Sequence, residues 1–231
     1  PMKSLWFLCA YFLSALMASA QPEAALVKAV KAKLDKVNDY KAAGKMKIDV
    51  SFINAPQSDV IVYYKRPDKF AVKKQNGISI LPKGGVSVNI NSLLFTNNFT
   101  VVPAGMSVVK GIACKVVKLL PTDDAGDVVL TTLYIDEKAQ LIKRSTVTTK
   151  ENGSYDMELD YGKYAAFGLP DKVVVFFNAK DYKLPKGITF EYEKGGASPK
   201  EPVKNPKGRV EILYANYSIN KGISDAVFVG K

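Results

Sequence analysis

The chain has 231 residues, of which 47% are apolar, and Lys and Arg outnumber Asp and Glu by 33 to 22, a net charge of +11. That apolar share is the composition of a folded protein and excludes a disordered one. With no histidine and two cysteines, any mechanism built on a Ser-His or Cys-His pair is excluded, and so are histidine metal sites.

Residues 1–20 have the form of an export signal. Lys3 gives a positive start, Leu5 to Met17 is an apolar run broken by Ser14, and Ala18-Ser19-Ala20 fits a small-x-small cleavage site. Cleavage between Ala20 and Gln21 is expected. Trp6 and Cys9 leave with the signal, so Cys114 remains as a lone thiol that reads as a small buried hydrophobe. The residues before Cys9 are Trp6, Phe7 and Leu8, not the small residues that precede a lipidated cysteine. A soluble exported protein is expected.

Pro22 to Val37 reads as an amphipathic helix. Leu26, Val30, Leu34 and Val37 form one stripe, Pro22 suits the first turn, and Asn38-Asp39 ends the pattern. The chain beyond alternates with period two. In Lys45–Phe52, Met46, Ile48, Val50 and Phe52 share a face. In Ser154–Tyr161, Tyr155, Met157, Leu159 and Tyr161 share one. Further strands are expected at Asp59–Lys65, Lys69–Lys74, Ile78–Leu81, Val86–Asn89, Lys115–Leu120, Val128–Asp136, Gln140–Thr149, Val173–Phe177, Ile188–Glu193 and Arg209–Ser218. Short turns between them imply an antiparallel meander. About eleven strands with a single apolar face must curl. A long curved sheet under a helical cover follows; a solid core and an internal hollow fit the pattern equally well.

Two segments break the alternation. Asn91 to Ser107 is apolar without a period and reads as a short helix or loop lying over the sheet opening. Lys194 to Gly208 is rich in Lys, Pro and Gly and reads as a loop within a terminal hairpin. Tyr161-x-x-Tyr164 with Gly168-Leu169-x-Asp171 recurs as Tyr214-x-x-Tyr217 with Gly222-Ile223-x-Asp225, which reads as two similar units of one sheet. No phosphate-binding loop or Cys-x-x-Cys is present, and no catalytic constellation, metal site or cofactor is expected. The lysines are dispersed, with no basic and aromatic stripe for nucleic acid.

The residues from Val27 to Tyr40 resemble the N-terminal helix of the LolA family of periplasmic lipoprotein carriers. Val62-Tyr63-Tyr64-Lys65-Arg66-Pro67-Asp68-Lys69-Phe70 is similar to that family's Lys-Arg-Pro-x-x-Phe strand motif, and Tyr134-Ile135-Asp136 with Leu141-Ile142 to its later hairpin. The outer-membrane receptor LolB and the regulator RseB are related half-barrels. The resemblance implies a mainly β fold: one curved antiparallel sheet forming an unclosed half-barrel, with the N-terminal helix and a short lid segment over the concave apolar face. It implies one such domain over 21–231; the chain departs from the family in running on past Val173–Phe177 into a C-terminal hairpin extension at about 178–231. It further implies a monomeric, non-enzymatic carrier in the periplasm. Such a carrier receives lipoprotein acyl chains from an inner-membrane release complex and passes them to an outer-membrane acceptor. Arg66 stands where the family's lid-bonding, hand-over arginine stands. Cavity candidates are Leu26, Val30, Leu34, Met46, Ile48, Val50, Phe52, Tyr64, Phe70, Tyr155, Met157 and Leu159. A module binding or sensing a different envelope lipid is the alternative, since the same cavity serves both.

Overall fold

A computed structural model describes residues 22–50, 53–74, 94, 98–123, 126–151, 153–178 and 207–229. One helix, α1 (Pro22–Leu34), precedes ten strands: β1 (Asp39–Val50), β2 (Ile53–Lys65), β3 (Lys69–Lys74), β4 (Phe99–Val109), β5 (Ile112–Pro121), β6 (Val128–Asp136), β7 (Leu141–Thr149), β8 (Ser154–Asp160), β9 (Lys172–Asn178) and β10 (Lys207–Ile219). They make one antiparallel sheet in the order β3-β2-β1-β10-β9-β8-β7-β6-β5-β4. The outermost strands, β3 and β4, do not pair, so the sheet is an unclosed half-barrel. The segments proposed as an export signal, the cleavage pair Ala20 and Gln21, and the strands expected at 78–81, 86–89 and 188–193 lie outside the described residues.

Alternation builds the two faces. The lysines of β1 at 41, 45 and 47 are exposed, while Tyr40, Ala42 and Met46 are buried. Register then joins inward residues into rows across the sheet. One row runs Met46, Ile212, Val173, Leu159. The next runs Ile48, Val210, Val175, Met157, Ser145, Leu133, Val117. These apolar side chains and the inward stripe of α1 (Leu26, Val27, Val30, Leu34) belong to one hydrophobic cluster. Burying each large aliphatic side chain contributes about 1.5–3 kcal/mol, which is what holds α1 across the concave face.

Three expectations are corrected. The helix stops at Leu34 and not Val37, because the last turn tightens: Lys36 N donates to Lys33 O and Val37 N to Leu34 O. Asn91–Ser107 is not a lid throughout. Leu94 is helical and buried, but from Phe99 the chain forms β4, an edge strand. Its period is hidden by a bulge between Pro103 and Met106, where Gly105 takes a φ of 84°. A two-residue turn, Lys110-Gly111, with both φ positive, closes the β4–β5 hairpin. Finally, residues 207–219 are no appendage. β10 lies inside the sheet, pairing β9 on one side and β1 on the other.

Candidate functional site

The site is the concave apolar face and the cover laid on it. α1 spans that face. Near its N-terminus Glu23 lies 3.9 Å from Lys115 of β5, and at its far end Asp35 meets the β2–β3 turn. Between them, Lys33 Nζ donates to Ala139 O at 2.5 Å. Gly168 lets the helix come close: a Cβ there would stand 3.0 Å from Leu34 Cδ2, and its φ of 67° already disfavours a side chain.

Arg66 bonds to the residue that follows α1. It follows β2 in a turn that contains a cis Arg66–Pro67 bond. Its backbone N donates to Asn38 O at 2.8 Å, its Nη1 to Asp35 O at 3.1 Å, and its Nη2 to Asp35 Oδ1 at 2.9 Å. A carbonyl at the C-terminal end of a helix has no partner within the helix, and the guanidinium supplies one. The motif at Arg66 predicts a bond to lid backbone; its side chain's backbone partner is the carbonyl of Asp35, the residue after α1.

A second set of contacts surrounds Arg66 and Asp35. Asn220 Oδ1 accepts from Asn38 N at 2.7 Å, and Asn220 Nδ2 donates to Lys36 O at 2.8 Å. The buried Asp39 carboxylate accepts from Lys221 N and Gly222 N, each at 3.1 Å. Lys65 Nζ and Lys69 Nζ meet the Asp225 carboxylate at 2.7 and 2.9 Å. Those two ammonium groups, Lys65 foremost, pull the Asp225 carboxyl down to about 2. The segment after β10 thus holds the link between α1 and β1, the start of β1, and the β2 and β3 ends that flank the Arg66 turn. None of these partners was legible in the sequence: Asn220 and Asp225 are more than 150 residues away from the groups they hold.

Beneath these contacts lies a cluster of tyrosines. Tyr40 faces Tyr64 with ring centroids 5.3 Å apart, and meets Tyr217 edge-on at 5.2 Å; Tyr214 stacks on Tyr217 at 5.1 Å and Tyr164 meets it at 4.9 Å. Tyr214 and Tyr217 are three residues apart, yet both point inward. The register slips at Ala43/Gly44, so β10 carries an extra residue there. The echoed Tyr-x-x-Tyr motifs therefore meet in space through Tyr164 and Tyr217. Tyr217 Oη donates to Pro170 O at 2.7 Å. Burial pushes the phenols of Tyr40, Tyr161, Tyr214 and Tyr217 well up, and that of Tyr64 to about 12.

The cavity candidates converge. Leu26, Val30, Leu34, Met46, Tyr64, Tyr155, Met157 and Leu159 are buried in the single cluster, and Ile48 and Phe70 pack against it. Val50 ends β1, with its side chain outside the described set, and Phe52 is outside it altogether. Two inward residues escaped the sequence reading because hydroxyl residues do not stand out in a Ser/Thr-rich strand. These are Thr131 and Ser145, which together with Asp39 are the buried polar residues among those described.

No family model and no curated protein sequence matches the chain. Solved structures do match its fold. A domain assigned to an outer membrane lipoprotein-sorting protein of Vibrio parahaemolyticus superposes with a TM-score of 0.60 at 11% identity, covering 91% of this chain and 97% of that one. A DUF1329 family protein of Desulfovibrio piger gives 0.52 at 13% identity, over 90% and 97%. A LolA superfamily protein of Nitrosomonas europaea gives 0.53 at 8% identity, over 88% and 97%. The chain has the LolA-like half-barrel fold. Among the described residues, no helix is long and apolar enough to cross a membrane.

Proposed function

We propose that this protein is a periplasmic carrier that shelters lipid acyl chains, those of lipoproteins foremost, on the concave face beneath α1. The observation that carries the reading is the pair of hydrogen bonds that Arg66 donates to Asp35, directly after α1, which would latch an apolar cover. The inner face is buried by the chain's own atoms, so cargo enters only when α1 lifts. Lifting exposes Leu26, Val27, Val30 and Leu34 and loses roughly 6–12 kcal/mol of burial. A diacyl anchor with about thirty methylenes offers roughly 24 kcal/mol in return at about 0.8 kcal/mol each. Acyl chains are therefore a sufficient replacement for the helix, whereas a small polar ligand is not. The name of the Vibrio sorting domain and the LolA-like fold support the lipoprotein cargo. A carrier of this kind takes its load from an inner-membrane release complex, gives it to an outer-membrane acceptor, and performs no covalent chemistry.

Native mass spectrometry of the protein purified from cell envelopes tests the reading. A bound lipoprotein or lipid is expected, and its extraction identifies the class. A protein that is always empty and ignores added acyl chains overturns the proposal.

A further inference from the structure

Among the described residues, the inner face carries one buried side-chain polar group without a hydrogen-bonding partner. Ser145 lies in β7 between Leu133 of β6 and Met157 of β8, directly opposite each in register. All three side chains are 0% exposed. The Ser145 hydroxyl has no hydrogen-bonding partner among the described residues. Two residues on, Val147 continues the same face, and its cross-strand partner is the buried Thr131. An unmade hydroxyl in such surroundings costs about 1–3 kcal/mol, and buried polar atoms without partners are rare. Alanine here would fill nearly the same space at no such cost. The position is central in the row that α1 and its neighbours cover, on the face assigned above to hydrocarbon.

We propose that Ser145 is the polar anchor of the cargo site, donating its hydroxyl proton to the ester carbonyl of an acylated glycerol. This deepens, and rests on, the carrier reading. A hydroxyl can donate to a carbonyl oxygen but gains nothing from a methylene. The ester end of the lipid therefore sits over β7, and the chains run along the apolar row through Met157, Val175, Val210 and Ile48. A single donor amid apolar contacts fixes how deep the lipid enters, as polar groups do in mostly apolar sites.

The test compares two probes of equal chain length, dioctanoylglycerol and its dioctyl diether counterpart, on wild type, Ser145→Ala and Ser145→Cys. Wild type is expected to prefer the ester. Ser145→Ala loses about tenfold in affinity for the ester and keeps its affinity for the ether, while its unfolding midpoint is unchanged or raised. Ser145→Cys fills the space but donates weakly, and stays near the Ala value. Equal loss on both probes, recovery by cysteine, or no loss at all overturns the anchor and leaves the carrier reading standing. Wild type that binds neither probe overturns the carrier reading and the anchor with it.

Discussion

Arg66 holds Asp35 through two different groups, the backbone carbonyl at 3.1 Å and the carboxylate at 2.9 Å. The two side chains are 35% and 37% exposed, so solvent weakens the ion pair itself to less than about 1 kcal/mol. Its importance is geometric, because the same guanidinium serves the end of the helix and its acidic neighbour together.

Replacing Arg66 by Leu removes both bonds from the closed form. The expected loss of unfolding free energy is small, about 1 kcal/mol. The empty, closed state loses stability relative to the open, loaded one, so cargo stays bound and transfer to an acceptor slows several-fold. Arg66→Lys does not restore transfer, since an ammonium lacks the planar fork. A transfer assay with purified loaded protein reads this directly, and normal hand-over by Arg66→Leu would remove the latch.

At Gly44 the backbone of β10 leaves no room for a side chain on β1. A Cβ on it would stand 2.6 Å from the carbonyl oxygen of Leu213, at the bulge that brings Tyr214 and Tyr217 to one face. Gly44→Ala is expected to cost about 1–3 kcal/mol. Urea unfolding should show a lower midpoint with an unchanged slope; a midpoint equal to wild type would mean that the bulge yields without strain.

Alkali should unfold the protein through its buried phenols. Burial raises Tyr64 to about 12, against an opposing pull from Arg66, and the other four clustered or buried phenols are raised too. A raised folded value means that the unfolded chain releases its proton first. The stability these groups contribute is whole below about pH 10 and falls as pH rises, at about 1.4 kcal/mol per unit for each phenol. For Tyr64 the decline ends near pH 12. Tyrosinate absorbance and loss of β-sheet circular dichroism are expected to rise in a single transition. Tyr64→Phe should flatten its pH dependence. Gradual ionisation of these tyrosines in a folded protein at pH 10 would contradict this.

Acid acts at the other end of the scale and on a different element. The Asp225 carboxyl is held at about 2 by Lys65 and Lys69. Its lowered value means that its contribution is present above the ordinary carboxylate range near 3.9 and disappears as pH falls through about 2. Asp225→Asn imposes the acid condition at neutral pH. Amide exchange at Ala226 and Phe228 should quicken, and added salt should do the same to wild type, with little effect on global unfolding. Unchanged exchange in the variant would show that the Asp39 and Asn220 contacts alone hold this segment.

How much of this was readable beforehand follows from the range of the forces involved. Val128–Asp136 was legible to the residue, because alternation is a local consequence of burying one face; Lys69–Lys74 was bounded as well, although Ala71 and Val72 are both buried there. β4 was not: Pro103 and Gly105 look like breakers, and only an unpaired edge with a bulge accommodates both. Arg66 was visible as a motif, but its partner was not, since nothing near Asp35 marks it as the receiver. The interior position of β10 was equally hidden, because its strand pattern reports a buried face and says nothing of which strands lie beside it. Ser145 reads as an ordinary strand residue until its neighbours show that its hydroxyl meets only hydrocarbon.

β10 is the keystone among the described strands. It alone joins the ladder β3-β2-β1 to the ladder running from β9 to β4. Its thirteen residues come last among the described strands, and contacts this distant in sequence form slowly. Without β10 the described strands fall into two separate ladders that share no face. The inward row from Met46 through Ile212 to Val173 and Leu159 therefore forms only once β10 is in place.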